Sequence, residues 1–121
     1  MTVITVDAKP ISKTPPINLS FHVVTTLNVS AEDARRSVNR QIVPTLGTGL
    51  IAREPVLVVA EDYIVWRVPI VLSLPGLGDV GQVGVIDVDA HTGTILDNVV
   101  DQQRIIEHAR RLYTGATLPT V

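Results

Sequence analysis

The chain has 121 residues, ten Lys and Arg against twelve Asp and Glu for a formal charge of −2, and no cysteine. That length provides one compact domain able to bury a core without staples, and the absence of thiols excludes disulfides, thiolate metal ligands and cysteine catalysis. The charge balance lacks the basic footprint of a nucleic-acid binder, so no nucleic-acid partner is expected.

Charged residues make up only 18% of the chain, against about 25% in an ordinary domain. A chain this apolar carries more hydrophobic surface than it easily hides alone, which points to a protein partner or a self-contact. The start, MTVITVDAKP, has neither the basic segment nor the continuous apolar run of a signal peptide. No apolar stretch approaches the roughly twenty residues of a membrane span. The expectation is a cytoplasmic protein with no membrane partner.

In chain order, VITV reads as a short edge strand. Residues 7–18, DAKPISKTPPIN, hold three prolines and both lysines of the protein and suit an extended arm. SFHVVTTLN (20–28) is rich in β-branched residues and predicts a strand. Ser30 is a helix N-cap with an acidic residue, Asp33, at N3. Ala31, Ala34, Val38 and Ile42 then recur as the buried stripe of an amphipathic helix over 30–43. Pro44 disfavours helical geometry at Val43, so the helix ends or kinks there.

VLVVA (56–60) predicts a strand, and YIVWRVPIVLSL (63–74) a longer one. VGQVGVIDVDA (80–90) follows, with a turn at His91-Thr92-Gly93 and a last short strand, TIL. Asn98 caps a final helix with Ile105, Ala109 and Leu112 on one face. The fold class is therefore α+β: an antiparallel sheet of four to five strands, one helix packed on a face, and an additional C-terminal helix. The expected core is Trp66, Val68, Ile70, Ile86 and Val88. The chain divides into an arm (1–19), the α+β domain (20–97) and a helix with tail (98–121).

Between the two long strands, GLGDVG (76–81) satisfies the G-x-G-x-x-G pattern of a dinucleotide-binding turn, with Asp97 placed for a ribose. That chemistry requires a helix starting inside the motif, whose first N–H groups bind the pyrophosphate. Here a period-two pattern follows instead, so a hairpin loop is expected and no cofactor. If the loop is Pro75–Asp79, residues whose numbers sum to 154 stand opposite each other. Leu74 then faces Val80, Ile70 faces Gly84, Val68 faces Ile86 and Trp66 faces Val88. On the reverse face Val71 meets Val83, Pro69 meets Val85 and Arg67 meets Asp87, an opposite-charge pair. Gly81 and Gly84 become small partners of Ser73 and Ile70. Pro69 cannot donate to the ladder, so its strand should carry a bulge or an unpaired side there.

Asp87, Asp89 and His91 alternate and offer oxygen and imidazole ligands. Arg67 opposite Asp87, and an Asx turn at Asp89, explain the two carboxylates without a metal, so no metal site is expected. His22, His91 and His108 fall in a strand, a turn and a helix and need not converge. Ser20 and Ser73 lack a nucleophile-elbow context. No catalytic residue is assigned and the chain is not expected to be an enzyme.

NVSAEDARRSV resembles the "SxEEA" helix start of PepSY domains, and GVIDVDAHTGTIL resembles their "V-x-V-D-A-x-T-G-x-V/I" hairpin, with Val88-Asp89-Ala90 and Thr92-Gly93 in matching places. The resemblance covers roughly residues 28–97. It implies a small cystatin-like module that binds or inhibits rather than catalyses. Most such domains are exported, and the proline-rich arm and final helix are additions to the pattern.

The hairpin register adds a point of its own. The strand 63–74 is apolar on both faces near its loop, and an antiparallel sheet with one wetted face should alternate cleanly. The N-terminal arm, the final helix or another chain must cover the second face. The expected function is a non-catalytic interaction or regulatory module that binds or neutralises a partner protein and self-associates as a homo-oligomer, a dimer. Its expected interaction surface is Val71, Val83 and Val85, flanked by Arg67 and Asp87. The alternative is a small-ligand or metal-binding protein using a concavity between helix and sheet.

Overall fold

The computed structural model describes the backbone of Val3 and Ile4 and residues 26–117 in full. The proline-rich arm, His22 and most of the strand expected over 20–28 lie outside the described residues, while 26–30 form an irregular lead into the first helix.

Ser30 starts α1 (Ala31–Gln41) with a reciprocal capping box: its hydroxyl accepts from the Asp33 N–H, and the Asp33 carboxylate accepts from the Ser30 N–H. Two of the helix's orphan donors are thereby satisfied. The helix breaks at Ile42, and Pro44 occupies the first turn of the short α2 (Val43–Leu46), where its missing N–H costs nothing. Ala34 and Val38, from the expected stripe, are fully buried.

Among the described residues, six antiparallel strands follow the order β1-β3-β4-β5-β6, with β2 beside β4: β1 (Val3–Ile4), β2 (Leu50–Ala52), β3 (Val56–Ala60), β4 (Ile64–Leu74), β5 (Gly78–Asp89) and β6 (Ile95–Leu96). β2 has no counterpart among the expected strands. It pairs Leu50 with Leu72 and Ala52 with Ile70, on the same edge of β4 that β3 occupies further along. The two strands are one interrupted ribbon, broken at Arg53-Glu54-Pro55. Pro69 of β4 faces this break, and its carbonyl accepts from the Arg53 N–H at 2.9 Å. The unpaired side expected at Pro69 is therefore the gap between β2 and β3, where no donor is needed.

The hairpin register holds where it matters and slips near the loop. Arg67↔Asp87, Val68↔Ile86, Pro69↔Val85 and Ile70↔Gly84 stand as expected, but Val71 meets Gln82, Leu72 meets Gly81 and Ser73 meets Asp79. The loop is three residues, Pro75-Gly76-Leu77, closed by Leu77 N–H to Leu74 O at 3.1 Å. Two bulges on β5, at Val83 and Val80, absorb the difference. Gly76 and Gly78 adopt positive φ in this turn, a conformation that glycine takes without strain. The motif is a hairpin end, and Asp97 accepts from the Gln102 amide.

The first and last helices pack on one face. The core joins Ala34 and Val38 to Leu50, Val68, Ile70, Leu72, Ile86, Val88 and Ile105. Trp66 borders it and donates its indole N–H to Val29 O at 2.8 Å. The last helix, α3 (Val99–Thr117), is capped by Asn98, whose side-chain oxygen accepts from the Asp101 N–H at 2.9 Å. It runs along β5 over two glycines. A Cβ at Gly84 would stand 2.5 Å from Ile105 Cγ1, and one at Gly81 3.1 Å from Leu112 Cδ1. This corrects the expected reason for both: their smallness admits the helix rather than fitting cross-strand neighbours, and Gly81 stands opposite Leu72.

Candidate interaction site

With both helices on the face of Val68 and Ile70, the odd-numbered residues of β4 define the opposite, outer face. The expected site residues divide there. Arg67 and Asp87 form a two-pronged ion pair across β4 and β5, with Nε–Oδ1 at 3.0 Å and Nη2–Oδ2 at 3.1 Å. Asp87 raises the Arg67 guanidinium above its ordinary pKa, chiefly by accepting this hydrogen bond. Val85 lies next along β5, 39% exposed, and Leu96 stands beside Asp87 on β6, 50% exposed.

Val71 and Val83 do not join them as open surface. Val71 is only 9% exposed, and its register partner on β2 is Ile51. Val83 is the extra residue of a bulge and belongs to the buried core, at 4% exposure. A straight strand would have turned it outward; the bulge breaks the alternation that the expectation relied on. The final helix, one of three candidates for covering the outer face, packs on the other.

What the structure assembles instead is a cleft of about 340 Å³ at the edge of the sheet, between β5, the end of β6 and the first turns of α3. Val85, Asp87 and Leu96 form one side, and Asp101, Arg104 and Ile105 the other. Backbone geometry makes this edge receptive. Asp89 donates to Thr94 O and accepts from the Gly93 N–H, both at 2.9 Å, whereas Ala90 donates to Ile64 O at 3.0 Å. Asp89 thus addresses β6 and Ala90 addresses β4. By the alternation of an antiparallel ladder, Val85 directs its N–H and C=O away from β4. Among the described residues β6 pairs with Asp87 and Val88 and no strand pairs with this side of Val85, which lines the cleft. Leu96, Asp101 and Arg104 are not among the expected site residues.

The remaining candidate chemistry has local explanations. The Asp89 carboxylate accepts from the N–H groups of Thr92 (2.9 Å) and His91 (2.8 Å), which hold it below the ordinary carboxylate range, Thr92 contributing most. Asp79 is held low by hydrogen bonding from Arg53, which grips both its oxygens at 2.6 and 3.1 Å. Among the described residues no group of three His, Asp or Glu side chains converges as a metal site. Among them, too, no helix is long and apolar enough to cross a membrane.

Fold and cleft together define a small α+β domain with its first and last helices on one face of an antiparallel sheet and, among the described residues, a stretch of β5 edge without a strand partner beside an amphipathic cleft. Compared with known proteins, the chain matches no family model, no curated protein and no solved structure.

Proposed function

We propose that this chain is a non-catalytic protein-interaction module of the cytoplasm, which binds and regulates a partner protein and self-associates through the cleft beside the open edge of β5. The observation that carries the reading is the meeting of three features at one place: backbone groups at Val85 that pair with no other strand among the described residues, exposed apolar side chains at Val85 and Leu96, and opposite charges at Asp101 and Arg104 on the facing rim. An extended segment adding to a sheet edge takes affinity from main-chain hydrogen bonds and specificity from side-chain contacts. The two bulges twist the edge, a device that prevents open-ended strand pairing. What docks here is a short segment held by the cleft, not a long ladder.

Self-association follows the same logic. Around a two-fold axis the surface is its own partner, and Asp101 of one copy then meets Arg104 of the other. The cysteine-free composition suits a reducing compartment. The PepSY-like reading is retained as part of this proposal, as a binding module rather than a catalyst.

The test is the double substitution Val85→Asp with Leu96→Asp, both on exposed positions. Sedimentation velocity across a concentration series should show the wild type reversibly dimerising and the variant monomeric, with unchanged circular dichroism. Partner capture from the native cell should fall in parallel. A folded variant that self-associates and captures partners as the wild type does contradicts the reading.

A further inference from the structure

Another concavity lies on the helix side, at the loop end of β4. We infer that it is a binding site for a small anionic amphiphile, an unbranched alkyl chain ending in a carboxylate. A groove of about 500 Å³ opens where the α2–β2 corner, the loop end of β4 and the later turns of α3 meet, within the size range of small-molecule sites. Its floor is Leu50 and Leu72, both nearly buried, and its helix wall is Ile106 and Ala109. This lining has room for an apolar body because the corner is built from Gly47 and Gly49, both at positive φ. A Cβ at Gly47 would meet nothing within 4 Å, and one at Gly49 would press on Leu72 Cδ1 at 3.3 Å. A side chain at Gly49 would therefore crowd the floor.

Charge selects the ligand's head. Of the described residues lining the groove, Arg110 alone carries a charge, and no acid lines it. Arg110 sits at the mouth beside the exposed ring of Tyr113. Its only ion pair among the described residues is with Glu107 at 3.4 Å, between two largely exposed side chains one turn apart. Such a pair contributes little and yields readily to a better acceptor, whereas a carboxylate meets guanidinium with a geometry suited to two hydrogen bonds. An apolar trough ending in one cation is complementary to an alkyl carboxylate and repels an alkyl ammonium.

The test titrates the full chain calorimetrically with sodium decanoate below its micelle concentration, with decanol, decyltrimethylammonium and sodium acetate in parallel. Decanoate should bind one per chain and raise the unfolding midpoint, as any ligand specific to the folded state does. Acetate and the ammonium should not bind. Arg110→Gln should weaken decanoate roughly tenfold, the equivalent of about 1.4 kcal/mol, and leave decanol unchanged. Ala109→Phe should fill the groove and remove both while the free protein keeps its folded circular dichroism spectrum. No decanoate binding, equal binding of the ammonium, or decanoate binding indifferent to both substitutions overturns the inference. So does a dimer that Ala109→Phe converts to monomer without any decanoate binding, because the occupant is then a second copy.

Discussion

Adding a single methyl group at Gly84 tests how α3 is seated. The new Cβ would lie 2.5 Å from Ile105 Cγ1 and 3.1 Å from Cδ1, whereas carbon atoms rest at about 3.5–4.0 Å. Ile105 is itself almost completely buried, so the conflict is relieved only by lifting the helix about 1 Å or twisting Ile105 off its rotamer. Overpacking of this kind costs about 1–3 kcal/mol. At roughly 4 °C per kcal/mol for a domain of this size, Gly84→Ala should lower the melting temperature by about 4–12 °C. Ile105→Ala alone should cost about 2–5 kcal/mol through the cavity it leaves. The double variant should cost at least about 1 kcal/mol less than the sum, because the added methyl then enters vacated space. Urea unfolding followed by Trp66 fluorescence and circular dichroism gives all three values. A neutral Gly84→Ala, or costs that add within about 0.5 kcal/mol, would show that the helix does not rest on this glycine.

Three further outcomes follow from local geometry. Ser30→Ala removes the α1 capping box and should cost about 1 kcal/mol, read as a urea midpoint shift without a change in slope. Asp89 is held below its ordinary pKa in the folded chain, so the stability it contributes is complete above the unfolded value, near 4, and is lost as pH falls through the lower folded one. Asp89→Asn should flatten stability across that acid window while changing it little in its shape elsewhere, which urea midpoints from pH 7 to pH 2 would reveal; an unaltered acid limb refutes the assignment. A double-mutant cycle on Arg67 and Asp87 should return about 0.2–1 kcal/mol, since both side chains keep partial access to water.

Much of the fold was legible because local signals agreed with one another. Ser30 and Asp33 mark a helix start by chemistry that needs only three residues of separation. Arg67 and Asp87 fall opposite each other because register in the regular part of a hairpin is arithmetic. The arithmetic failed toward the loop, where bulges at Val80 and Val83 let a three-residue turn close instead of a five-residue one; nothing in a valine announces a bulge. That slip carried Val83 from the expected surface into the core, and with it the apolar patch as first drawn. β2 was illegible for another reason, since three residues beside glycines show no period.

The cleft itself depended on where α3 lies over β5, which is a tertiary fact, yet one trace of it stands in the sequence. Gly81 leaves room for Leu112 and Gly84 for Ile105. The reversed order sets the helix antiparallel to the strand. Arg104 and Asp101 reach the sheet edge as a consequence of it.

The claim at the centre of this account is that the β5 edge at Val85 is where another protein chain docks. Photocrosslinking tests it most directly, with a benzophenone side chain placed at position 85 and, as a control, at Arg36 on the exposed side of α1. Irradiation in the native cell should give discrete higher-mass adducts from position 85, one of them twice the chain's own mass, and none from position 36. Adducts absent from position 85, or equal from both positions, would contradict it.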